Sequence, residues 1–359
     1  MKRIALICEV MHEPFDEGIR IFAAELSRAL AVSEQMKLLL LSTKDSVVGG
    51  MTVHGVLENR YFVSRRLAGS LGSFAPEAIV YVPWTSLTAR TLIRVRALKR
   101  YAPGRRVALI ALQPRPADFL SRLVAGLGRP DIVLAAGPGA MRQAERLGIP
   151  STRVSPGVDL ARFRPASAEQ RAQLRQRAGI DPRAFVVLHV GHMKESRNIG
   201  VIEQLAKLAS VACVVVGSTS TMADTRLTGR LRAAGVTVMT HHEDRIEFAY
   251  RLADAYLFPV ISPLDAIETP LSVLEAAACD LAIVSTPFGG LPDLLGKGEG
   301  GVKWAGTSGE MVEVVRGLVA ARGASRGATP SAGGTRRLVE KLSWAALARQ
   351  VVAALGGAR

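Results

Sequence analysis

The sequence contains little cysteine, few aromatic residues and no long apolar run. Three cysteines occur in 359 residues and aromatic residues make up 5% of the chain, and Cys8, Cys213 and Cys279 show no metal-ligand spacing. This usage is typical of a reduced protein with buried thiols, and it predicts no metal site. No apolar stretch reaches the roughly 18 to 20 residues that span a bilayer, and the N-terminus lacks the cleavage site of a signal peptide. We therefore expect a cytoplasmic protein.

Acidic residues are scarce relative to basic ones, and the formal net charge is +15. Residues 1–155 hold 22 basic against 12 acidic residues, and the remainder holds 24 against 19, so the excess lies mostly in the first half. Such a surface suits nucleic acid, anionic lipid or anionic substrates, but the few aromatic residues and the absence of a binding motif argue against nucleic acid. Peripheral contact with an anionic membrane at its inner face, an anionic acceptor and simple solvation stay open. Residues 58–72 either contact the membrane or pack on their own domain.

Short apolar runs alternate with helical periodicities along a chain long enough for two domains. This alternation predicts doubly wound parallel sheets, whose ligands bind at the carboxyl ends of the strands. No complete G-x-G-x-x-G motif follows the first strand, and Gly18 in that turn either faces a ligand or makes a plain turn. The predicted strands cover residues 4–10, 37–42, 51–56, 78–82, 107–112, 131–135, 185–191, 211–217, 236–240, 253–259 and 281–284. The predicted helices cover residues 19–31, 86–101, 138–147, 168–179, 199–208, 222–234, 245–252 and 338–355, and residues 322–335 have the composition of a loop.

Residues 265–295 contain a helix that starts abruptly and leads into an apolar strand. Thr269 is predicted as the N-cap and Pro270 as the first helical residue, because the N–H that proline lacks would be unpaired there. Glu268 and Glu275 bracket the start of the helix. A helix N-terminus suits a phosphate and the flanking carboxylates suit sugar hydroxyls, although an ordinary buried helix with solvated acids has the same pattern.

Two further stretches carry distinctive residues. Pro156-Gly-Val-Asp159 is followed by Arg162-Phe-Arg-Pro165, and Gly157 permits a tight turn there. The turn after the predicted strand 185–191 runs Gly191-His-Met-Lys-Glu-Ser-Arg197-Asn198. Its cations suit phosphate oxygens, which arginine grips with two parallel hydrogen bonds. Three solvated cations on an exposed loop are the alternative.

Together these stretches resemble the family-4 retaining glycosyltransferases, with Glu275 and the residues around it matching the donor-site signature. The resemblance implies a GT-B fold of the α/β class, in which two Rossmann-like doubly wound domains face each other across a cleft. It places an acceptor-side domain at residues 1–155, a nucleotide-sugar donor domain at residues 156–337, and a C-terminal helix at residues 338–359 that packs back toward the first domain.

The resemblance also implies roles for individual residues. Glu275 would hold the ribose, while the N–H groups of Leu271 and Ser272, together with Arg197 and His192, would hold the diphosphate. Glu268 and Arg197 are the catalytic candidates, Glu268 through contact with the donor sugar. The full donor-binding set is Gly18, Gly191, His192, Lys194, Arg197, Thr269, Pro270, Leu271, Ser272 and Glu275.

Three positions depart from the family pattern. Ile267 stands where the first acid of the signature usually is, His192 replaces an arginine, and Gln113 replaces a histidine close to the reacting sugar. A glutamine can hydrogen-bond a hydroxyl but cannot act as a general base. These departures leave open whether the first acid's role passes to Glu268 or is lost.

The resemblance implies metal-independent transfer of a hexose from a nucleotide-diphosphate sugar with retention, without a cofactor. The acceptor is not indicated, and a glycan, a lipid-linked sugar or a small molecule all fit. Two other functions stay open: a non-catalytic nucleotide-sugar-binding protein, which the three departures favour, and a sugar-nucleotide epimerase of the same fold.

Overall fold

A computed structural model describes residues 2–32, 36–115, 119–218, 224–240, 245–298, 300–324 and 334–356. The chain divides into two compact units. Unit 1 comprises Met1–Gly157, Ile267–Thr269 and Trp344–Arg359, and unit 2 comprises Val158–Ala266 and Pro270–Ser343. The short segment Ile267–Thr269 therefore belongs to unit 1 although its sequence neighbours on both sides belong to unit 2.

The elements of unit 1, in chain order, are β1 Lys2–Ile7, α1 Gly18–Ala31, β2 Met36–Ser42, β3 Ser46–Val48, β4 Met51–Gly55, α2 Arg65–Phe74, β5 Ala78–Tyr81, α3 Ala89–Tyr101, β6 Arg106–Ala111, α4 Phe119–Ala125, β7 Ile132–Ala135, α5 Pro138–Arg146 and β8 Ser151–Arg153. Those of unit 2 are α6 Ala168–Arg177, β9 Phe185–Gly191, α7 Val201–Leu205, β10 Val211–Gly217, α8 Thr225–Ala233, β11 Thr237–Met239, α9 Glu247–Leu252, β12 Ala255–Phe258, α10 Leu271–Ala278, β13 Ala282–Ser285, α11 Leu291–Leu295, β14 Val302–Trp304, α12 Ser308–Ala324 and α13 Thr335–Val339. The last helix, α14 Trp344–Gly356, returns to unit 1.

Unit 1 is built on a sheet in the order β3-β4-β2-β1-β5-β6-β7-β8. Its strands are parallel except at the β3–β4 pair, which is antiparallel. The central strands are apolar on both faces because helices cover both sides of a parallel sheet. Helix α1 buries Phe22 and Leu26, and Trp344 of α14 packs edge-on against Phe22 with ring centroids 5.6 Å apart. The C-terminal helix therefore completes the core of unit 1.

Unit 2 contains a parallel sheet in the order β11-β10-β9-β12-β13-β14. Strands β9 and β12 are central, so their carboxyl ends lie side by side at the edge where doubly wound sheets bind ligands. The apolar body of α10 packs into the same core through Val273, Leu274 and Ala276–Ala278.

Most predicted strands and helices occur within a few residues of their predicted positions, and the exceptions have local causes. The helix predicted over 199–208 is shorter, α7 Val201–Leu205. A 3-10 turn, Glu195–Arg197, precedes it and ends at Asn198, which adopts a left-handed φ of 58°. The helix predicted over 338–355 is broken between α13 and α14, where the chain leaves unit 2 for unit 1. The loop prediction for 322–335 is wrong at its start, since α12 extends to Ala324; residues 325–333 lie outside the described part of the chain.

Three apolar side chains of the candidate membrane segment 58–72 belong to the core of unit 1. Phe62, Leu67 and Leu71 are buried, the last two on α2, while Tyr61 and Val63 are exposed. The apolar residues of this segment therefore mostly pack on their own domain.

The carboxylate of Asp254 joins two helices to the sheet of unit 2. It accepts hydrogen bonds from Arg171 Nη1 (3.1 Å), Arg175 Nη2 (2.7 Å) and Arg322 Nη1 (2.8 Å), and from the N–H of Val186. These arginines come from α6 and α12, and Asp254 is only 1% exposed.

We expect Asp254→Asn to destabilise unit 2 by roughly 3 to 5 kcal/mol, because it leaves buried guanidinium groups without their counter-ion. Thermal unfolding measures the effect. The matched control is Glu313→Gln, which breaks an exposed pair with Arg316 and should change stability by less than about 1 kcal/mol. Equal melting temperatures for the two variants would contradict this role for Asp254.

Candidate functional site

The carboxyl end of β9 holds a guanidinium against a glycine. Gly191 has a φ of 151°, and a Cβ there would lie 3.0 Å from Arg197 Nη1, so a side chain at this position would displace the guanidinium. The following 3-10 turn and the left-handed Asn198, whose Nδ2 donates to the carbonyl of Pro259 at 3.3 Å, bring Arg197 back toward the strand end. Glycine is therefore required at position 191, because the backbone φ there is positive and because a Cβ would displace the guanidinium of Arg197.

Arg197 is a buried cation without a counter-ion among the described residues. It is 6% exposed, no carboxylate in the described ranges lies within ion-pairing distance, and its Nε has no hydrogen-bond partner there. Burial lowers the pKa of Arg197, and the charges of Tyr256 and Asp265 oppose that shift. Burying an unpaired charge is costly, so a bound anion would supply compensation that these residues do not.

His189, in the middle of the same strand, is neutral at physiological pH. It is fully buried, and burial together with the charge of Arg197 lowers its pKa to about 3. Nδ1 lies 2.9 Å from the carbonyl of Leu257; because a carbonyl only accepts, this nitrogen carries the proton. Nε2 is then an acceptor, and it has no partner among the described residues. Beside Arg197, a neutral histidine adds no second positive charge.

Tyr256 connects this strand end to α10. Its hydroxyl donates to the carbonyl of Val190 at 3.2 Å. Burial raises the pKa of Tyr256, the nearby side chain of Ser272 and the charge of Arg197 lower it, and the charge of Glu275 raises it. Arg197, Ser272 and Glu275 therefore belong to one electrostatic cluster within unit 2.

The start of α10 is shifted by one residue from the prediction, which placed the N-cap at Thr269 and the first helical residue at Pro270. Pro270 occupies the N-cap, and the helix begins at Leu271. The prediction that Thr269 caps the helix is wrong: its hydroxyl instead donates to the carbonyl of Ala136 at 2.7 Å, within unit 1. Leu271 and Ser272 lie in the first turn, where N–H groups have no intrahelical acceptor, so their N–H groups are oriented for an anion at the positive end of the helix.

Glu275 is held by a tyrosine that the sequence motifs do not reveal. The hydroxyl of Tyr250 donates to Glu275 Oε2 at 2.6 Å. Burial, and then the charge of Glu275, raise the pKa of Tyr250 well above its usual value, so the hydroxyl stays protonated. The ring of Tyr250 packs edge-on against Phe163, with centroids 5.5 Å apart. The Arg-Phe-x-Pro motif therefore supports the residue that orients Glu275.

The remaining cations of the turn are more open. His192 is half-buried, and Lys194 is exposed at the start of the 3-10 turn. The neighbouring Ser196 hydroxyl donates to Asp265 Oδ1 at 3.0 Å. The turn thus carries one buried cation, Arg197, and two more accessible titratable side chains, His192 and Lys194.

Glu268 lies in unit 1, where it caps a different helix. Its two oxygens accept the N–H groups of Gly139 and Ala140 at 2.7 Å each, at the N-terminus of α5, and the residue is 2% exposed. Burial raises the pKa of Glu268, while these N–H groups oppose the shift. A Cβ on Gly137 would lie 2.4 Å from Glu268, so glycine is needed there. Glu268 has a structural role, and its contact with a sugar stays a prediction.

One further predicted site residue, Gly18, and two of the positions that depart from the family pattern, Ile267 and Gln113, also lie in unit 1. A Cβ on Gly18 would lie 3.3 Å from Ile267 Cδ1, so Gly18 and Ile267 pack together. Gln113 is 7% exposed and its carbonyl oxygen accepts from Arg115 Nη2 at 3.0 Å. Ile267 and Gln113, two of the three departures from the family pattern, are therefore packed into unit 1.

The chain resembles known proteins in sequence over part of its length. Residues 184–321 match the family described as Glycosyl transferases group 1. The chain is similar to D-inositol 3-phosphate glycosyltransferase 2 of Catenulispora acidiphila, with 32% identity over 46% of this chain and 42% of that protein. It is also similar to D-inositol 3-phosphate glycosyltransferase of Paenarthrobacter aurescens, with 26% identity over 70% of this chain and 61% of the relative. The chain spans less than two thirds of these curated relatives.

Solved structures resemble the whole chain. HepE of Anabaena in complex with UDP-glucose has a TM-score of 0.75 at 14% identity, covering 99% of both chains. Sucrose-phosphate synthase of Thermosynechococcus elongatus has a TM-score of 0.75 at 16% identity, covering 98% of both chains. At this identity the likeness concerns the fold.

The chain has the predicted GT-B fold, with two parallel-sheet α/β domains. The match of residues 184–321 to the Glycosyl transferases group 1 family and the similarity to the curated relatives support the predicted resemblance to family-4 glycosyltransferases.

The depressed pKa of His189 predicts an acid-sensitive fold. Between pH 6.5, the ordinary pKa of histidine, and about pH 3 the unfolded chain binds a proton that the folded chain does not, so this contribution to stability is lost as the pH falls through that window. We expect His189→Asn to flatten the dependence of the melting temperature on pH between 6.5 and 4. The exposed His54 provides the control, since His54→Asn should keep the wild-type slope. An unchanged slope in His189→Asn would contradict the assignment.

Proposed function

We propose that this protein transfers a sugar from a nucleotide-diphosphate donor to an acceptor. The observation that carries the proposal is the buried Arg197, which has no counter-ion among the described residues and is clustered with Ser272 and Glu275 through Tyr256. A diphosphate supplies the negative charge that this cluster needs. The complexes of HepE with UDP and with UDP-glucose, a protein of the same fold, support this donor class.

The proposed chemistry is electrostatic. As the bond between the sugar and the diphosphate breaks, negative charge grows on the leaving phosphate. Arg197 and the N–H groups of Leu271 and Ser272 would stabilise it, with His192 and Lys194 as outer contributors. Groups already fixed before the reaction stabilise such charge most effectively, because they need no reorganisation. We propose that a hexose is transferred with retention, and that no metal is needed because these groups neutralise the leaving group.

Glu275 would bind the ribose hydroxyls of the donor. Tyr250 occupies one side of its carboxylate with a short hydrogen bond, which fixes the rotamer. A carboxylate held in this way accepts hydroxyl hydrogen bonds without losing further side-chain freedom.

The acceptor belongs to the same proposal. The curated relatives are named D-inositol 3-phosphate glycosyltransferases, which supports a phosphorylated polyol; a glycan or lipid-linked acceptor is also compatible.

None of the helices in the described ranges is both long and apolar enough to cross a bilayer. We propose a cytoplasmic enzyme with peripheral contact to anionic lipid, supported by exposed leucines beside arginines on and after α4: Leu120, Leu123 and Leu127 with Arg122 and Arg129.

A non-catalytic nucleotide-sugar-binding protein is the second candidate. It is favoured by the packing of Ile267 against Gly18 and by the engagement of Glu268 as the cap of α5. In that case Arg197, Ser272 and Glu275 would bind the diphosphate without turnover.

The test is a panel of UDP, GDP, ADP and dTDP, their glucose conjugates and the matching nucleosides, followed by thermal shift and product analysis. Stabilisation by one diphosphate but not by its nucleoside, with slow hydrolysis of the conjugate, supports transfer. Stabilisation without turnover supports the binding protein, and an altered sugar supports an epimerase. No stabilisation by any diphosphate overturns the proposal.

We expect Arg197→Met to reduce affinity for the bound diphosphate by roughly 30-fold or more, since a charge-assisted contact in a buried site is lost. The free variant should not melt below the wild type, because the substitution removes an uncompensated buried charge. Isothermal titration and thermal unfolding measure the two effects. The exposed Arg316 provides the control: Arg316→Met should leave affinity unchanged. A destabilised Arg197→Met with normal affinity would indicate a structural arginine.

We expect Tyr250→Phe to lower affinity for the diphosphate by about 10-fold while barely changing affinity for its 2′,3′-dideoxy analogue. The reason is that Tyr250 orients the carboxylate of Glu275, which would bind the ribose hydroxyls that the analogue lacks. Titration of both ligands measures the ratio. Tyr101→Phe removes a hydroxyl from unit 1 and should keep the wild-type ratio. An equal loss for both ligands in Tyr250→Phe would mean that the hydroxyl is only structural.

A further inference from the structure

A second group of unusual residues lies in unit 1, where β1 and β5 end. The two strands are parallel neighbours, with Ile7 beside Tyr81, so the segments that follow them leave from one edge of the sheet. That edge is where doubly wound sheets bind ligands. The segment after β5 carries Trp84, whose side chain is 53% exposed. A large apolar face is thus presented at a ligand-binding edge.

The backbone of Trp84 is held by a buried charged cluster. Glu9, 6% exposed, accepts the N–H of Trp84 at 3.3 Å and the hydroxyl of Tyr81 at 3.0 Å, and it forms an ion pair with Arg94. Arg94 Nε also donates to the carbonyl of Arg60 at 2.8 Å. A buried ion pair contributes little net stability by itself. The pair of Glu9 and Arg94 instead holds the backbone of Trp84 in place beneath its exposed indole.

Two residues around this cluster have unfavourable backbones. Phe62, whose ring packs against Tyr81 and under Arg94, has a φ of 63°, and Ser86 has a φ of 54°. Left-handed conformations of residues other than glycine are uncommon, and they collect at binding and catalytic sites. Ser86 is 1% exposed and its hydroxyl has no hydrogen-bond partner among the described residues.

Hydroxyl groups accompany the indole. Thr85, directly after Trp84, lies with Thr88 and Thr91 in a cluster whose Oγ1 atoms are 3.0 to 3.4 Å apart. Thr85 is half-buried, so it is partly accessible. An apolar face next to a few hydroxyls is the composition of a small-molecule site that fixes the orientation of its ligand by a few polar contacts.

We propose that Trp84 is the stacking platform for the ring of a polyhydroxylated acceptor, a sugar or a cyclitol. The face of such a ring carries polarised C–H groups, which the negative face of the indole attracts, while the hydroxyls at its rim reach toward the threonines. An open-chain polyol has no such face. The inference rests on the proposed function, because it assigns the acceptor side of the same reaction.

The test uses a matched pair of probes, myo-inositol and sorbitol, each with six hydroxyls, one cyclic and one open. Quenching of tryptophan fluorescence by acrylamide is recorded for the wild type and for Trp84→Phe, and the difference reports Trp84. We expect inositol, but not sorbitol, to protect Trp84. Equal protection by both probes, or protection by neither, overturns the proposal.

Transfer provides the second measurement. With the donor found in the panel, we expect a cyclic acceptor to accelerate nucleotide release, Trp84→Ala to reduce that acceleration by about 10-fold, and Trp84→Phe to restore most of it. Val32→Ala removes an exposed apolar side chain elsewhere in unit 1 and should behave as wild type. Equal acceleration in Trp84→Ala overturns the proposal. Diphosphate binding is measured separately: if it is present and Trp84 is not protected, only the acceptor inference fails, whereas absent binding contradicts the proposed function itself.

Discussion

The candidate site depends on one constraint, the burial of a guanidinium that the described residues do not neutralise. Arg197 lies against Gly191, where any Cβ would displace it. Its surroundings are kept neutral by burial: His189 cannot hold a proton at physiological pH, and the pKa of Tyr256 is raised. Among the described residues the positive charge therefore has no counter-ion, and the proposed anionic ligand would compensate it.

The two acids of one sequence motif have different tasks. Glu275 stays in unit 2, where Tyr250 holds its carboxylate, and Phe163 supports Tyr250 from the Arg-Phe-x-Pro motif. Glu268, which precedes it in the same motif, lies in unit 1 and satisfies two N–H groups of α5. Because α5 begins after Gly137, which has no side chain to cap it, a carboxylate from elsewhere in the chain takes that place.

The regular elements could be predicted where their pattern is long. Apolar runs such as 185–191 and 211–217 match β9 and β10, because a strand covered on both faces must be apolar throughout. Strands β3 and β8 have three residues each, too few to show a period, and their existence depends on neighbouring strands. The helix predicted over 199–208 is shortened to Val201–Leu205, after a 3-10 turn that ends in the left-handed Asn198, and apolar periodicity does not reveal this shortening.

The sequence by itself determined the alternation of strands and helices, the position of α10, the basic excess and the residue types of the donor signature, because these depend on local pattern and composition. Tertiary structure decided which groups meet. Thr269 hydrogen-bonds Ala136 rather than capping α10, Tyr250 finds Glu275, and Trp84 is anchored by Glu9. Each of these pairs is far apart in sequence, and burial requires every polar group to find a partner in space, so no local pattern contains the answer.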